Sequence, residues 1–329
     1  MLNKIKKNMV IVAGIFTIFS VSIFSGCLDD GNSNIGITYG GQYYPGEFLL
    51  EGKNFWNSYD IKVEHILFSS GSENNQALIS GDVDINCGSD SKTVSLFTSL
   101  PDDAVILGTI QQGNRYSTVV KVGSSYETWT DLKGETVATR MGTGAEQVLR
   151  RFFEQNESLE WDDFDWVNLN IEDMISALDA GTIEAFTAWE TTPGIAEAQG
   201  VGKILKSYGD IALVPVCLHT TIDYAKKHGD EIVDFLAAHM DKAELIKNDP
   251  ELAAELAAEA ALDQGIEVSS DAFLKMFNRI DFTVELNGDI LDAINDTAQF
   301  LYDQGKIDSI PTLRWDKSFI EEAQALREQ

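Results

Sequence analysis

Positive charge is scarce in this chain: 24 lysines and arginines stand against 53 aspartates and glutamates, a formal net charge of −29 over 329 residues. That balance excludes nucleic acid and an anionic membrane surface as partners, since like charges repel. It favours a strongly hydrated exterior, one that a salt-rich medium would suit by screening its self-repulsion. Cysteine is scarce too, with three residues, so no disulfide framework is built. Cys87 and Cys217 close apolar runs and read as buried small residues, although an extracellular location would let them pair. The four histidines, His65, His219, His228 and His239, show no paired metal-ligand spacing; His228 and His239 fall in the polar C-terminal part and read as solvated. Gly142-Thr143-Gly144 lacks the Lys-Ser/Thr of a Walker loop. Asp162, Asp163 and Asp165 lack the glycine and distal glutamate of a calcium loop. No Ser/His/Asp set is visible, which leaves open one assembled only in space. Neither a metal nor a cofactor is expected.

One long apolar stretch, Met9–Phe24, follows Lys4, Lys6 and Lys7 and precedes Ser25-Gly26-Cys27. A basic n-region, an apolar h-region and small residues before a cysteine make a lipoprotein signal, with Cys27 as the lipidated first residue of the mature chain. The competing reading is an uncleaved membrane anchor; either places Leu28 onward outside the cytoplasm. Asp29-Asp30 and Gly31–Asn34 form a short tether.

With 44% hydrophobic residues, the mature chain can bury a large core and most naturally forms two lobes. Its centre of organisation is Glu135–Gln147. Thr136–Thr139 alternates like a buried strand, Gly142 and Gly144 allow a tight turn, and Ala145–Phe153 has helical spacing. The first N–H groups of such a helix have no internal acceptor and carry its positive dipole end, so the turn is a seat for a negative group, with Arg140 beside it. Around it strands and helices alternate. Ile35–Thr38 reads as a strand followed by the loop Tyr39–Pro45 and a helix to about Trp56. Ile61–Phe68 is a strand, Asn74–Ser80 a helix, and Gly81–Asn86 a strand ending in Cys87–Ser91. Ala104–Ile110 and Ser117–Val122 are extended, as are Asp165–Asn170, Ile183–Trp189, Lys203–Lys206 and Ile211–His219, with a helix at Glu172–Ala180. Alternation of this kind demands crossovers and a mostly parallel sheet, with ligands at the strands' C-terminal ends. Gly81-Asp82-Val83-Asp84 and Gly181-Thr182-Ile183-Glu184, each after a helix, suggest two similarly built units. From Thr221 the chain turns helical: Asp223–Asn248, Glu251–Leu262, Ser270–Ile280, Gly288–Gly305 and Asp316–Arg327, with the acidic residues of Ala253–Ala261 on a solvated face.

The sequence resembles the solute-binding lipoproteins of ABC importers in the sulfonate, taurine, nitrate and thiamine-precursor group. The resemblance rests on the signal with Cys27, on Gln76–Asp84, on Trp129–Ala138, on Gly142-Thr143-Gly144, on Ala177–Ala185 and on Ala188-Trp189-Glu190. It covers nearly all of the mature chain. It implies a type II periplasmic-binding-protein-like fold: an α/β protein of two lobes, each a mostly parallel sheet flanked by helices, closing on a hinge, with a helical C-terminal tail. The implied organisation is a signal peptide (1–26), a lipid-anchored tether (27–33), the first part of lobe I (34–116), lobe II (117–215), and a return to lobe I with the tail (216–329). The implied role is capture of a small anion or zwitterion, preferably an organosulfonate such as taurine, by a monomer anchored to the outer face of the cell membrane. Delivery is to an ABC permease and its ATPase, and no chemistry is done on the ligand.

The candidate ligand contacts are the donors Ser89, Ser91, Gly142, Thr143, Gly144 and Ala145, the cations Arg115 and Arg140, the amides Gln42 and Gln112, the aromatics Tyr43, Tyr44 and Trp189, and the carboxylates Asp90 and Glu190. Serine, threonine and backbone donors with arginine suit a sulfonate or nitrate, whereas carboxylates and rings suit a cation or a flat ring; a zwitterion uses both. Each has a plainer alternative. Arg140 pairs with Glu146, Arg115 braces the hinge, Trp189 packs in the core, Glu190 caps the helix after it, and only one of Tyr43 and Tyr44 faces the cleft. Two other functions stay open: a binder of an aromatic heterocycle such as a thiamine-precursor pyrimidine, and an enzyme of the same fold. A sensor in place of a transporter is a third.

Overall fold

The computed structural model describes Gly36–Tyr59 and Ile61–Glu328. The signal segment, Cys27, the tether and Ile35 lie outside the described residues. The chain begins with β1 (Gly36–Gln42), α1 (Pro45–Lys53), a 3-10 turn at Phe55–Tyr59, β2 (Lys62–Phe68), α2 (Gly71–Ser80), β3 (Ile85–Ser89), α3 (Asp90–Ser99) and β4 (Ala104–Gly113). It continues with β5 (Tyr116–Lys121), β6 (Thr136–Thr139), α4 (Gly144–Glu154), β7 (Asp165–Asn168), α5 (Ile171–Ala180), β8 (Ala185–Trp189), α6 (Thr192–Ala198) and β9 (Gly202–Ser207). The return is β10 (Val216–Thr221), α7 (Ile222–Lys227), α8 (Gly229–Asn248), α9 (Pro250–Asp263), α10 (Ser270–Phe277), β11 (Ile280–Asp281), α11 (Gly288–Asp303) and α12 (Ser318–Arg327).

The two short glycine motifs take the same local structure, and for the same reason. Gly81 (φ 81°) and Gly181 (φ 70°) end α2 and α5 in the left-handed conformation that glycine adopts without a Cβ clash. Asp82 N–H then donates to Ala77 O and Thr182 N–H to Ala177 O, and each chain turns into the next strand as Asp84 N–H meets Thr38 O at 2.8 Å and Glu184 N–H meets Thr136 O at 2.9 Å. The doubling extends to the sheets. One has the order β11-β4-β10-β3-β1-β2, the other β7-β6-β8-β5-β9. In both, three parallel strands (β2-β1-β3 and β7-β6-β8) are followed by one reversed strand, β10 or β5, wedged before the last parallel-running strand. The reversed strands are those reached by crossing from the other sheet. The crossings, Gly113–Tyr116 and Ser207–Val216, are stitched together: Gly113 N–H donates to Leu213 O and Tyr208 N–H to Tyr116 O.

Each sheet is covered on both faces. Ile37, Tyr39, Cys87 and Leu218 pack beneath α1, α8, α9 and α10, while Cys217 and Ile106 pack with α2, α3 and α11. Val120 and Val137 meet α4 through Ala145, Val148 and Leu149; Val119 and Ala138 meet α5 and α6. Cys87 stands opposite Leu218 in the β3/β10 register and Cys217 opposite Gly88, so the two buried, free thiols point to opposite faces of one sheet.

Several local expectations are corrected. Tyr39–Gln42 is strand, because these residues pair with His65–Phe68 of β2; Cys87–Ser89 and Gln111–Gln112 likewise belong to β3 and β4. Asp90–Ser99, unforeseen as a helix, is held by the buried side chains of Val94, Leu96 and Phe97. Ile211–Pro215 is not strand; β10 starts at Val216, after Val214 takes φ 41°. His239, expected in solvent, is fully buried: it follows Phe235 by one turn on the inner face of α8, packs on Tyr39, Trp56 and Phe235, and accepts from Lys242 Nζ at Nδ1. Nearby, buried His65 lies 3.1 Å from Glu47 Oε2 and 2.5 Å from Glu51 Oε1. Burial alone would lower its pKa, but the hydrogen bonds to Glu47 and Glu51 outweigh it and hold it at about 9.

Candidate functional site

A cavity of about 370 Å³ lies where the C-terminal ends of the two parallel strand triples meet. Gln42, Tyr43 and Tyr44 reach it from the β1–α1 turn, Ser69–Ser72 from β2–α2, and Ser89, Ser91 and Lys92 from β3–α3. Across from them stand Arg140, Gly142, Thr143 and Gly144 from β6–α4, Asn170, Ile171 and Glu172 from β7–α5, and Trp189 at the end of β8. Arg115 and Tyr116 enter from the first crossing. Every turn of this kind opens a helix, so the cavity gathers helix N-termini and their partial positive charge from both sheets. At α4, Glu146 Oε2 takes the Gly142 N–H at 2.7 Å and Thr143 Oγ1 takes the Ala145 N–H at 3.3 Å. Among the described residues, the Thr143 and Gly144 N–H groups have no acceptor.

The side chains add charge of the same sign. Arg115 is 2% exposed, and its guanidinium carbon lies 5.4 Å and 5.3 Å from the ring centres of Tyr44 and Tyr116. Nη1 donates to Val214 O at 2.6 Å, while the buried Nε has no partner. Among the described residues no carboxylate lies within ion-pair distance of Arg115, Arg140 or Lys92. Lys92 Nζ donates to Ser72 Oγ at 3.0 Å, and burial lowers the ammonium's pKa. The Tyr44 and Tyr116 phenols are pushed up by burial against the pull of Arg115, so both stay neutral donors. Glu172 is the carboxylate that lines the cavity.

Eleven expected contacts line this space: Gln42, Tyr43, Tyr44, Ser89, Ser91, Arg115, Arg140, Gly142, Thr143, Gly144 and Trp189. Both tyrosines border it, Tyr44 buried and Tyr43 41% exposed. Arg140 does not pair with Glu146, which is taken by Arg150 at 2.6 Å. Four expected contacts are absent from the lining. Asp90 accepts from Thr297 Oγ1 at 2.7 Å. Gln112 donates to Asp281 and Glu285 beside the edge strand β11. Ala145 is fully buried in the α4 core. Glu190 pairs with Arg279 and accepts the Gly194 N–H at 2.8 Å, so it caps α6; burial raises its carboxyl to about 7, outweighing Arg279 and Gly194, which favour the charged form. The sequence reading missed Ser69–Ser72 and Asn170–Glu172, although both are strand-to-helix turns of the kind that singled out Gly142–Gly144. Lys92 and Tyr116 carried no such signal.

A larger, shallower groove of about 610 Å³ runs between α6, α9 and α10. It carries Glu259 and Glu267 and no basic residue, so it repels anions. Among the described residues no group of histidine, cysteine, aspartate and glutamate is placed to hold a metal ion.

Known proteins share this sequence pattern and architecture. The family model described as NMT1/THI5 like matches residues 44–253. The taurine-binding periplasmic protein of Escherichia coli (strain K12) is 26% identical over 292 residues, 84% of this chain and 88% of that protein. A putative aliphatic sulfonates-binding protein of the same strain is 24% identical over 201 residues, 60% of this chain and 62% of that one. Among solved structures, the periplasmic aliphatic sulphonate binding protein SsuA from Escherichia coli superposes with a TM-score of 0.72 at 21% identity, covering 86% of this chain and 94% of its own.

Proposed function

The chain belongs to the NMT1/THI5-like family, and from its cavity we propose that it is the extracytoplasmic solute-binding protein of an ABC importer, capturing an organosulfonate such as taurine and delivering it to a permease. The observation that carries this reading is Arg115, a buried guanidinium that has no carboxylate partner among the described residues, facing a cavity built on helix N-termini. A buried charge left unpaired is costly; an anionic head group accepting from Arg115, Arg140, the serines and the Thr143 and Gly144 amides removes that cost. Glu172, in place of the expected Asp90 and Glu190, suits the ammonium of taurine. The names of the two relatives support the same class. An aromatic heterocycle is favoured less, because Arg115 already lies against Tyr44 and Tyr116.

In this reading 34–116 with 216–329 forms one lobe, 117–215 the other, and the crossings near Ser117 and Val216 the hinge. Closure stabilised by the ligand is the signal the permease and its ATPase read. Cys27, lipidated, anchors a monomer to the outer face of the membrane, and the chain binds its ligand without altering it.

Thermal unfolding of the purified chain with taurine, alkanesulfonates, nitrate, a thiamine-precursor pyrimidine and riboflavin tests the proposal. A ligand at a hundredfold its Kd adds about 2.7 kcal/mol of stability. Stabilisation by the sulfonates supports it, whereas a response confined to the flat heterocycles overturns it. Recovery of taurine unaltered after long incubation separates binder from enzyme.

A further inference from the structure

Two clusters of buried and half-buried polar side chains join the two sheets beside the cavity without lining it. In the first, Thr297 of α11 donates its hydroxyl to Asp90 Oδ2 at 2.7 Å and accepts from Gln147 Nε2 at 2.9 Å and Arg151 Nη2 at 3.3 Å, both on α4. In the second, Arg279, just after α10, pairs with Glu190 at the end of β8 and with Glu197 on α6. Asp90, Gln147, Thr297 and Glu190 are each at most 3% exposed. Thr297 and Asp90 belong to the same half; the bonds that cross between the halves are those from Gln147 and Arg151 to Thr297 and those from Arg279 to Glu190 and Glu197. Separation of the halves would break these crossing bonds and expose Gln147, Glu190 and the donor-accepting side of Thr297 to water, whereas the Thr297–Asp90 bond would remain.

The clusters also sit where they have leverage on the cavity. Asp90 lies between Ser89 and Ser91, Gln147 one turn beyond Thr143-Gly144, and Glu190 directly after Trp189, all lining residues. Among the described residues the backbone passes between the two sheets at 113–116 and 207–216 alone.

We infer that Arg279 and Thr297 are positioning residues for ligand capture: they hold the two walls at the binding separation, so affinity depends on them although neither touches the ligand. The inference rests on the solute-binding reading for its affinity arm and stands apart from it for its shape arm. Apparent affinity scales with the fraction of molecules already in the competent form, so reducing that fraction to about a tenth raises Kd about tenfold.

The test compares the full chain with its Arg279→Met, Arg279→Lys and Thr297→Val variants, by calorimetric titration with taurine and by small-angle scattering. Expected are a Kd raised about tenfold by Arg279→Met and by Thr297→Val, partial rescue by Arg279→Lys, and a larger radius of gyration without ligand that returns to the parent value at saturation. Thr297→Val removes one hydroxyl at nearly constant volume, so it keeps the test alive if Arg279→Met fails to fold. Unchanged radius and unchanged Kd in folded variants overturn the inference. Larger radii in a chain whose parent binds no sulfonate support the clamp and refute the ligand assignment alone.

Discussion

Replacing Arg115 with methionine separates a ligand-binding charge from a structural one. Among the described residues the buried guanidinium donates to Val214 O and its Nε has no partner. Methionine keeps most of the stem and removes the charge. For the unliganded protein the loss of that bond and of the contacts with Tyr44 and Tyr116 is offset by no longer burying an ion without a counter-ion, an exchange that is often neutral or stabilising. Its melting temperature should therefore hold or rise. For the liganded protein, truncating one partner of a buried hydrogen-bonded charge pair costs about 2–5 kcal/mol. At about 1.4 kcal/mol per decade, that weakens Kd roughly 30-fold to several thousand-fold. Taurine at a hundredfold the parent Kd, which stabilises the parent by about 2.7 kcal/mol, should stabilise the variant by less than about 1 kcal/mol. Titration calorimetry with a thermal melt of the free and bound forms reads both quantities. An unchanged Kd removes Arg115 from the site. A Kd and an unliganded stability that fall together show that Arg115 only braces the crossing, the alternative that its place beside Val214 keeps in view.

Other perturbations check separate parts of the structure. Arg140→Ala, at a half-buried cation with no carboxylate partner among the described residues, should weaken sulfonate binding by about 1–3 kcal/mol, and an unchanged titration would place Arg140 outside the contact set. Gly144→Ala would bring a Cβ within 2.3 Å of Tyr116 Oη; displacing that buried ring should cost about 1–3 kcal/mol of stability and weaken binding through Arg115, whereas a melt and a Kd equal to the parent's would mean that Tyr116 yields freely. His65 has a folded pKa of about 9 against 6.5 for the free side chain, so its protonation stabilises the fold fully below pH 6.5, and that contribution is lost as pH rises through about 9. Denaturant titrations across that window should show a decline that His65→Gln abolishes; equal slopes in the two proteins would refute the His65–Glu47–Glu51 assignment.

What the sequence could convey was whatever is decided within a few residues. Thr136–Thr139 emerges as β6, and Ala145–Phe153 lies inside α4, because alternation, an N-cap threonine and helical spacing act locally. The glycine ends of α2 and α5 were legible for the same reason. Asp90–Ser99 was not, since its polar composition carries weak helical periodicity and its helix is held by packing against β3, β10 and α11. The reversed strand β10 and the edge strand β11 depend on partners more than a hundred residues away. The fates of the two carboxylates expected in the cleft are likewise set by distant residues: Asp90 is claimed by Thr297, 207 residues on, and Glu190 by Arg279, 89 residues on. Both adjoin lining residues in sequence, and only the tertiary structure shows that Asp90 turns to α11 of its own half and Glu190 to Arg279 of the opposite one. His239 was misplaced in the same way, its polarity matched inside the protein by Lys242 and by rings from α1's neighbourhood and β1.

The proposed seating of an anion by a chain of net charge −29 looks contradictory until length scales are separated. Charges on the exterior act on a free ion through water and salt, where fields fade over about 8–10 Å at physiological ionic strength. Inside the cavity the medium is poor in water and screening is weak, so nearby groups decide. There the balance inverts: Arg115, Arg140 and Lys92 face the space with Glu172 as the opposing charge, and helix N-termini from both sheets add to the positive side. The acidic groove between α6, α9 and α10 shows what the same surface does elsewhere, offering more volume and no cation. Because the cationic groups are split between the halves, Lys92 from one and Arg140 from the other, with Arg115 at the crossing between them, the field an anion meets is complete only when the walls are together. If the proposed reading holds, ligand capture and closure of the two halves are the same event seen from charge and from shape, and the clamps inferred at Thr297 and Arg279 set how readily that event occurs.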